Sequence, residues 1–160
     1  MKIRDIIRQL ACSICHFLGG KDESTPKLKP AGTIDIHRMS SILLDKLEEM
    51  EDTRAELYLA DVACKVYKKE DVVRFLGLDE TDKIPYEPDS PEIKELGDDC
   101  DGFAAILYGK GIPLLWSNVH ALNFFISEDE KLYFVEPQTD KISQTLENWQ
   151  GWDCRFFLSR

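Results

Sequence analysis

The N-terminal part of the chain has the hydrophobic periodicity of an amphipathic α-helix. Within residues 2–18, apolar side chains recur every three or four positions, and a Gly-Gly pair ends the pattern. A polar, proline-containing linker, KDESTPKLKPAG, follows. We therefore expect residues 1–24 to form an appended helix with the start of a linker, and residues 33–160 to form a single domain.

More helices are predicted before the middle of the chain. One begins after Asp35, a second covers RAELYLADVACKVY, and a short third covers KEDVVRFLGL and ends near Gly77. The segment DETDKIPYEPDSPEIKELG, rich in acidic residues and proline, predicts a long surface loop. A short helix from Phe103 to Tyr108 is predicted to follow it and to end at Gly109.

The last part of the chain has the composition of β-strands. VHALNFFIS and KLYFVEP predict two strands joined by a tight turn at EDE, and WDCRFFLS predicts a third strand. Helices therefore come first and an antiparallel sheet comes last, which predicts an α+β fold.

Composition and charge narrow the classes of function. The chain has 160 residues, 43% of them hydrophobic, and a formal net charge of −10. This charge argues against nucleic-acid binding, which needs basic clusters. It is compatible with a cation site, although most acidic proteins are simply soluble. Five cysteines, an odd number, predict reduced thiols and a cytoplasmic location, and no apolar run is long enough to span a bilayer.

The motif CSICH in the predicted N-terminal helix has three interpretations. Cys12, Cys15 and His16 match the C-x-x-C-H pattern of c-type haem attachment, but that chemistry requires export. The same side chains lie close enough on a helix to share a zinc ion, although a full zinc site needs further ligands. The third interpretation is an ordinary amphipathic helix, which could dock through residues 1–18 on a partner or a membrane surface.

The stretch IKELGDDCDGFAAILYG places a cysteine among carboxylates. Cys100 precedes a predicted helix, and the N–H groups at a helix start stabilise a thiolate. Asp98, Asp99 and Asp101 oppose this effect, because nearby negative charge disfavours a thiolate. A reactive thiol also needs a base, and His120 is the histidine that lies in a predicted strand of this half of the chain.

The predicted hairpin brings an acid to this histidine. If the turn is centred near Glu128, His120 lies directly opposite Glu136, and opposed residues point to the same face of the sheet. Cys100, His120 and Glu136 would then be a nucleophile, a base and an orienting acid. The alternative is structural, since a histidine in a strand is usually a packed or surface residue and a cysteine before a helix is usually small and buried.

Three short motifs carry a family resemblance. DDCDGFA, VHALNFF and YFVEPQT resemble segments of the papain-like and transglutaminase-like cysteine hydrolases. They are most similar to the calcium-dependent cysteine protease domain at the C-terminus of Marasmius oreades agglutinin and related mushroom lectins, and to its stand-alone bacterial and phage relatives. The resemblance covers roughly residues 55–158. It implies a papain-like core in which the cysteine opens a helix packed on an antiparallel sheet.

The resemblance also implies roles for individual residues. Cys100 would be the nucleophile, His120 the general base, Glu136 the orienting acid and Gln138 a polar partner in the site of a peptidase acting on a peptide or protein substrate. The alternatives are a catalytically inactive papain-like binding module and an accessory protein docked through its N-terminal helix.

Calcium is the cofactor that the resemblance implies. Asp98, Asp99 and Asp101 would bind Ca²⁺ through their carboxylates, and the metal would neutralise the charge around the thiol. The chain departs from the family pattern at Gly102, where relatives often have a second acid after the cysteine.

Overall fold

The computed structural model describes residues 28–48, 54–58, 63–86, 99–146 and 152–158. The predicted N-terminal helix and its CSICH motif lie outside the described residues, as does most of the long acidic loop. No helix in the described ranges is long and apolar enough to cross a membrane.

These residues form eight β-strands, three α-helices and a short 3-10 helix. In chain order they are β1 (Gly32–Asp35), α1 (Ile36–Glu48), β2 (Arg54–Tyr58), β3 (Ala63–Val66), α2 (Lys69–Leu76), the 3-10 helix (Thr81–Lys83), α3 (Cys100–Gly109), β4 (Leu114–Trp116), β5 (Ala121–Ile126), β6 (Leu132–Glu136), β7 (Lys141–Ser143) and β8 (Asp153–Phe157).

Two sheets are present within the described residues. Strands β1 and β3 form a small antiparallel pair. The larger sheet has the order β2-β8-β4-β5-β6-β7, in which every pairing is antiparallel except that of β2 with β8. Strand β5 is central in this order, and all six of its residues are buried, so both faces of the sheet are covered at this point.

The two faces of the larger sheet pack against different helices. Phe124 belongs to the cluster that contains Leu43 of α1, and its ring meets the ring of Phe156 edge-on with centroids 5.2 Å apart. Phe125 points to the opposite face and belongs to the cluster that contains residues of α2 and Leu107 of α3. The apolar strand ALNFFI is therefore the layer on which the helices of both faces are packed.

The prediction of a helices-first α+β chain with a papain-like core is wrong. Strands outnumber helices in the described residues, β1 precedes the first described helix, and β2 pairs in parallel with the C-terminal β8. The pairings among β4, β5, β6, β7 and β8 are antiparallel, as predicted for the end of the chain. The segment RAELYLADVACKVY forms β2 and β3 instead of a helix. In β3, Cys64 and Val66 are buried and alternate with less buried neighbours, which is the period of two of a strand and not the period of a helix.

Several local predictions are confirmed. Helix α1 begins directly after Asp35, and α2 ends just before Gly77. The three predicted strands correspond to β5, β6 and β8. The short helix predicted from Phe103 begins earlier, at Cys100. Strands β1, β4 and β7 were not predicted, because each has only three or four residues.

A buried ion pair anchors the end of α3. Lys110, the residue after the helix, places its Nζ 2.5 Å from Oδ2 of Asp79, whose side chain is only 2% exposed. The same Nζ lies 3.2 Å from Oγ1 of Thr81, and the Thr81 backbone N–H donates to Oδ1 of Asp79. The carboxylate is therefore paired on both oxygens, and α3 is fixed to the 3-10 helix segment.

We predict that K110M destabilises the fold more than D79N does. Removing the cation leaves the Asp79 carboxylate buried without its partner, which costs about 3–5 kcal/mol. Asn at position 79 still accepts from Thr81, and Lys110 is exposed enough to be hydrated. Urea denaturation of both single variants and of the double variant measures the difference. The double variant should recover part of the K110M loss, and equal losses in both single variants would contradict this account.

Candidate functional site

Cys100 is the first residue of α3, and Asp99 caps this helix. Oδ1 of Asp99 accepts hydrogen bonds from the backbone N–H groups of Asp101 and Gly102, at 3.3 and 3.4 Å. The N–H of Phe103 donates to the Asp99 backbone carbonyl, so the first turn is fully formed. Asp99 before a run of apolar residues is thus a sequence signal for the helix start. The cap fixes the half-buried Cys100 at the N-terminal end of the helix.

His120 is held by a tight loop between β4 and β5. The hydroxyl of Ser117 donates to the His120 backbone carbonyl at 2.8 Å and accepts from the His120 N–H at 2.9 Å. The Ser117 N–H also donates to the His120 carbonyl, at 2.9 Å. Ser117 is buried, and its hydrogen bonds fix the position of the His120 backbone. Sequence analysis missed Ser117, whose position three residues before His120 is the only local signal.

Glu136 ends β6 and faces the His120 ring. Nε2 of His120 lies 2.8 Å from Oε2 of Glu136, and both side chains are slightly more than a quarter exposed. The hydrogen bond that the hairpin predicted is therefore present, but the predicted register is wrong. Strands β5 and β6 pair from Asn123 with Val135 to Ile126 with Leu132, which centres the turn on Asp129. His120 and Glu136 are consequently diagonal neighbours, and they share a face because the error is an even number of positions.

The pKa of His120 is raised to about 10. The main cause is hydrogen bonding to the side chain of Cys100, and the second is the hydrogen bond to Glu136. Partial burial acts in the opposite direction but is outweighed. Because Nε2 bonds Glu136, Nδ1 is the ring nitrogen left for the sulfur. The raised pKa favours the imidazolium form of His120, whose ring lies near the Cys100 side chain and against the Glu136 carboxylate.

Trp152 lies on another side of the histidine. Its ring meets the His120 ring nearly edge-on, with centroids 6.2 Å apart and planes at 72°. The start of β8 is tied to the histidine loop, because the Asp153 N–H donates to Oδ1 of Asn118 at 2.9 Å. Sequence analysis did not assign Trp152 to the site, since it lies far from His120 along the chain.

The fourth residue predicted for the catalytic site is Gln138. It is half-buried in the turn after β6. Its role in the site stays a prediction. Oε1 of Glu136 is buried and has no partner among the described residues, so this carboxylate can accept one more hydrogen bond.

The predicted calcium ligands do not make a metal cage in the described residues. Asp98 lies outside them, and the carboxylate of Asp99 is occupied as the helix cap. No group of three or more His, Cys, Asp or Glu side chains is placed to hold a metal ion there. Because Asp98 lies outside the described residues, the full ligand set is not tested, and calcium binding stays a prediction from the sequence.

Comparison with known proteins gives structural neighbours. No protein-family model and no curated protein sequence matches the chain. One similar solved structure is described as "PSL1a-E64 complex", with 17% identity and a TM-score of 0.57. Another is the lectin of Polyporus squamosus bound to the human-type influenza-binding epitope Neu5Acα2-6Galβ1-4GlcNAc, with 18% identity and the same TM-score. Each match covers 78% of this chain and 49% of the other, so the chain spans about half the length of these neighbours. The likeness shows the fold alone.

These comparisons correct the family assignment. The structural neighbours are named as a lectin and not as papain-like or transglutaminase-like hydrolases. The assignment to that family, with its calcium-dependent peptidase activity, its inactive-module alternative and its peptide substrate, is therefore withdrawn. The short motifs on which it rested describe the local arrangement of Cys100, His120 and Glu136. Such an arrangement can occur on unrelated folds, which is why it did not identify the family.

We predict that the titration of His120 depends on both of its partners. In the wild-type protein the imidazolium should persist to about pH 10, and the midpoint should fall in C100A and, by less, in E136Q. NMR of the ring protons measures this, and exposed His37 provides a reference signal that should be the same in all three proteins. Since the pKa of His120 is raised in the folded state, its contribution to stability is complete below about pH 6.5 and is lost as the pH rises through about 10. A midpoint unaffected by C100A would show that the sulfur is not a partner of the ring.

Proposed function

We propose that Cys100 is a nucleophilic thiolate that forms a covalent bond with an electrophilic carbon of a ligand. The observation that carries this proposal is the hydrogen-bonded series Cys100, His120 and Glu136. An imidazolium beside a sulfur stabilises the thiolate, which is the nucleophilic form of cysteine. Glu136 stabilises the imidazolium and fixes the orientation of the ring, which leaves one nitrogen directed to the sulfur.

The covalent step balances with the groups present. The sulfur of Cys100 donates an electron pair to the electrophilic carbon, and a bond between that carbon and an oxygen or another leaving group breaks. The leaving atom takes the proton of the His120 imidazolium, so the ring becomes neutral. Glu136 then accepts a hydrogen bond from the remaining N–H of the neutral ring, and its charge does not change.

The other described cysteines are poor candidates for this chemistry. Cys154 is fully buried in β8, and burial, assisted by Asp153, raises its pKa to about 12. Cys64 is 4% exposed and packs in the core with Ile34 and Met39. Cys100 is half-buried and therefore accessible to a small reagent.

We predict that Cys100 is the most reactive of the five thiols near neutral pH. Limiting iodoacetamide followed by mass spectrometry should label Cys100 first, and E64, whose epoxide is an electrophile for thiolates, should label the same sulfur. H120Q should slow both reactions strongly, while H37Q, which alters an exposed histidine on α1, should leave them unchanged. Preferential labelling of Cys12 or Cys154, or equal rates in H120Q, would reject the proposal.

A second candidate function is glycan binding. It is supported by the solved neighbour that is described as a lectin bound to Neu5Acα2-6Galβ1-4GlcNAc. The terminal sugar of that glycan is anionic, whereas this chain carries a formal charge of −10, so long-range electrostatics oppose its approach. A neutral glycan is the better ligand on this ground.

Calorimetry with the trisaccharide and with neutral Galβ1-4GlcNAc tests glycan binding directly. We expect the neutral disaccharide to bind at least as tightly, and C100A to bind as the wild type does, because the thiol chemistry does not require a sugar. Absence of heat with both glycans at millimolar concentration would remove the second candidate and leave the first unaffected.

A further inference from the structure

A fully buried asparagine joins β5, the strand that follows His120, to α3, the helix that begins at Cys100. Asn123 is 0% exposed, in the middle of the otherwise apolar strand β5. Its Nδ2 donates to the backbone carbonyl of Ala104 in α3 at 3.0 Å and to that of Ile112 in the α3–β4 connection at 3.3 Å. One amide group therefore bonds both α3 and the segment that leaves it.

The hydrogen bond between Asn123 and Ala104 lies close in the chain to both Cys100 and His120. Ala104 lies one helical turn after Cys100 on the same face of α3, about 6 Å along the helix axis. Asn123 lies three residues after His120, about 10 Å along the chain. The amide bond thus joins helix and strand one helical turn from Cys100 and three residues from His120.

The helix is held to its surroundings at several points. Its far end is fixed by the ion pair of Lys110 with Asp79, and the Tyr108 hydroxyl donates to the Leu158 carbonyl at 3.1 Å. Near Cys100, the apolar cluster contains the buried side chains of Ala104, Leu114 and Ala121. The hydrogen bond from Asn123 to the Ala104 carbonyl adds a directional restraint there, because a hydrogen bond is strong only over a narrow range of distance.

We infer that Asn123 is a positioning residue that sets the separation between the Cys100 sulfur and the His120 ring. The inference deepens the proposed function, on which it rests, by naming what aligns the nucleophile with its base. Oδ1 of Asn123 is buried and has no partner among the described residues. An unpaired buried oxygen is costly, and a leucine of similar volume would avoid that cost. The asparagine is therefore better explained by the geometry that its NH₂ group imposes than by stability.

The test measures the rate of Cys100 alkylation in N123L and in the matched control F125L. Phe125 lies on the same strand and the same face, packs against Tyr133, and makes no polar contact with α3. We expect N123L to lower the alkylation rate about 10- to 100-fold, because a misplacement of about 1 Å has an effect of this size on a reacting pair. The His120 titration midpoint should fall in the same variant. F125L should lose thermal stability while keeping both the rate and the midpoint.

The outcomes separate this inference from the proposed function. If wild-type Cys100 is not selectively alkylated, the proposed function fails. If it is selectively alkylated and folded N123L reacts at the wild-type rate, the positioning role of Asn123 fails. Should N123L not fold, N123S is a smaller change that still removes the paired contact, because the shorter side chain with one O–H cannot reach both carbonyls. A reduced rate in N123S relative to F125L supports the inference, and an unchanged rate overturns it.

Discussion

The arrangement of this molecule depends on one imidazole ring that is bonded on both sides. His120 contacts the sulfur of Cys100 and the carboxylate of Glu136, which come from a helix start and a strand end. Neither partner can shift without loss of a charge-assisted hydrogen bond. The helix cap by Asp99, the Ser117 loop and the β5–β6 hairpin therefore all act on the same three side chains.

The placement of Cys100 and of the His120–Glu136 pair was predicted from the sequence, and chain topology was not. The cysteine at a helix start is set within a few residues by a cap, and the histidine facing an acid is set by a hairpin that separates them by 16 residues. The predicted pairing of the β5–β6 hairpin was wrong in register but right in which side chains share a face. Centring the turn on Glu128 instead of Asp129 displaced every pairing, yet an even displacement preserved the face on which His120 and Glu136 lie.

The strands that precede Cys100 could not be predicted from local sequence patterns. Strand β2 pairs in parallel with β8, which lies about a hundred residues later in the chain, and β3 pairs with β1 across the whole of α1. Such pairings are decided by the partner strand and by burial, which outweigh the helical propensity of a segment such as RAELYLADVACKVY. Short motifs are local in the same way. The three motifs therefore suggested a family that the names of the structural neighbours do not mention.

The carboxylates near Cys100 disfavour a thiolate, and the structure shows how the charge of one of them is partly balanced. The carboxylate of Asp99 is turned towards the N–H groups of Asp101 and Gly102, so part of its charge is balanced by the helix start. The raised pKa of His120, about 10, favours a cation near the sulfur. Glu136 contributes at a distance from the sulfur, since its negative charge stabilises that ring cation. A carboxylate can therefore favour a thiolate when an imidazolium lies between them.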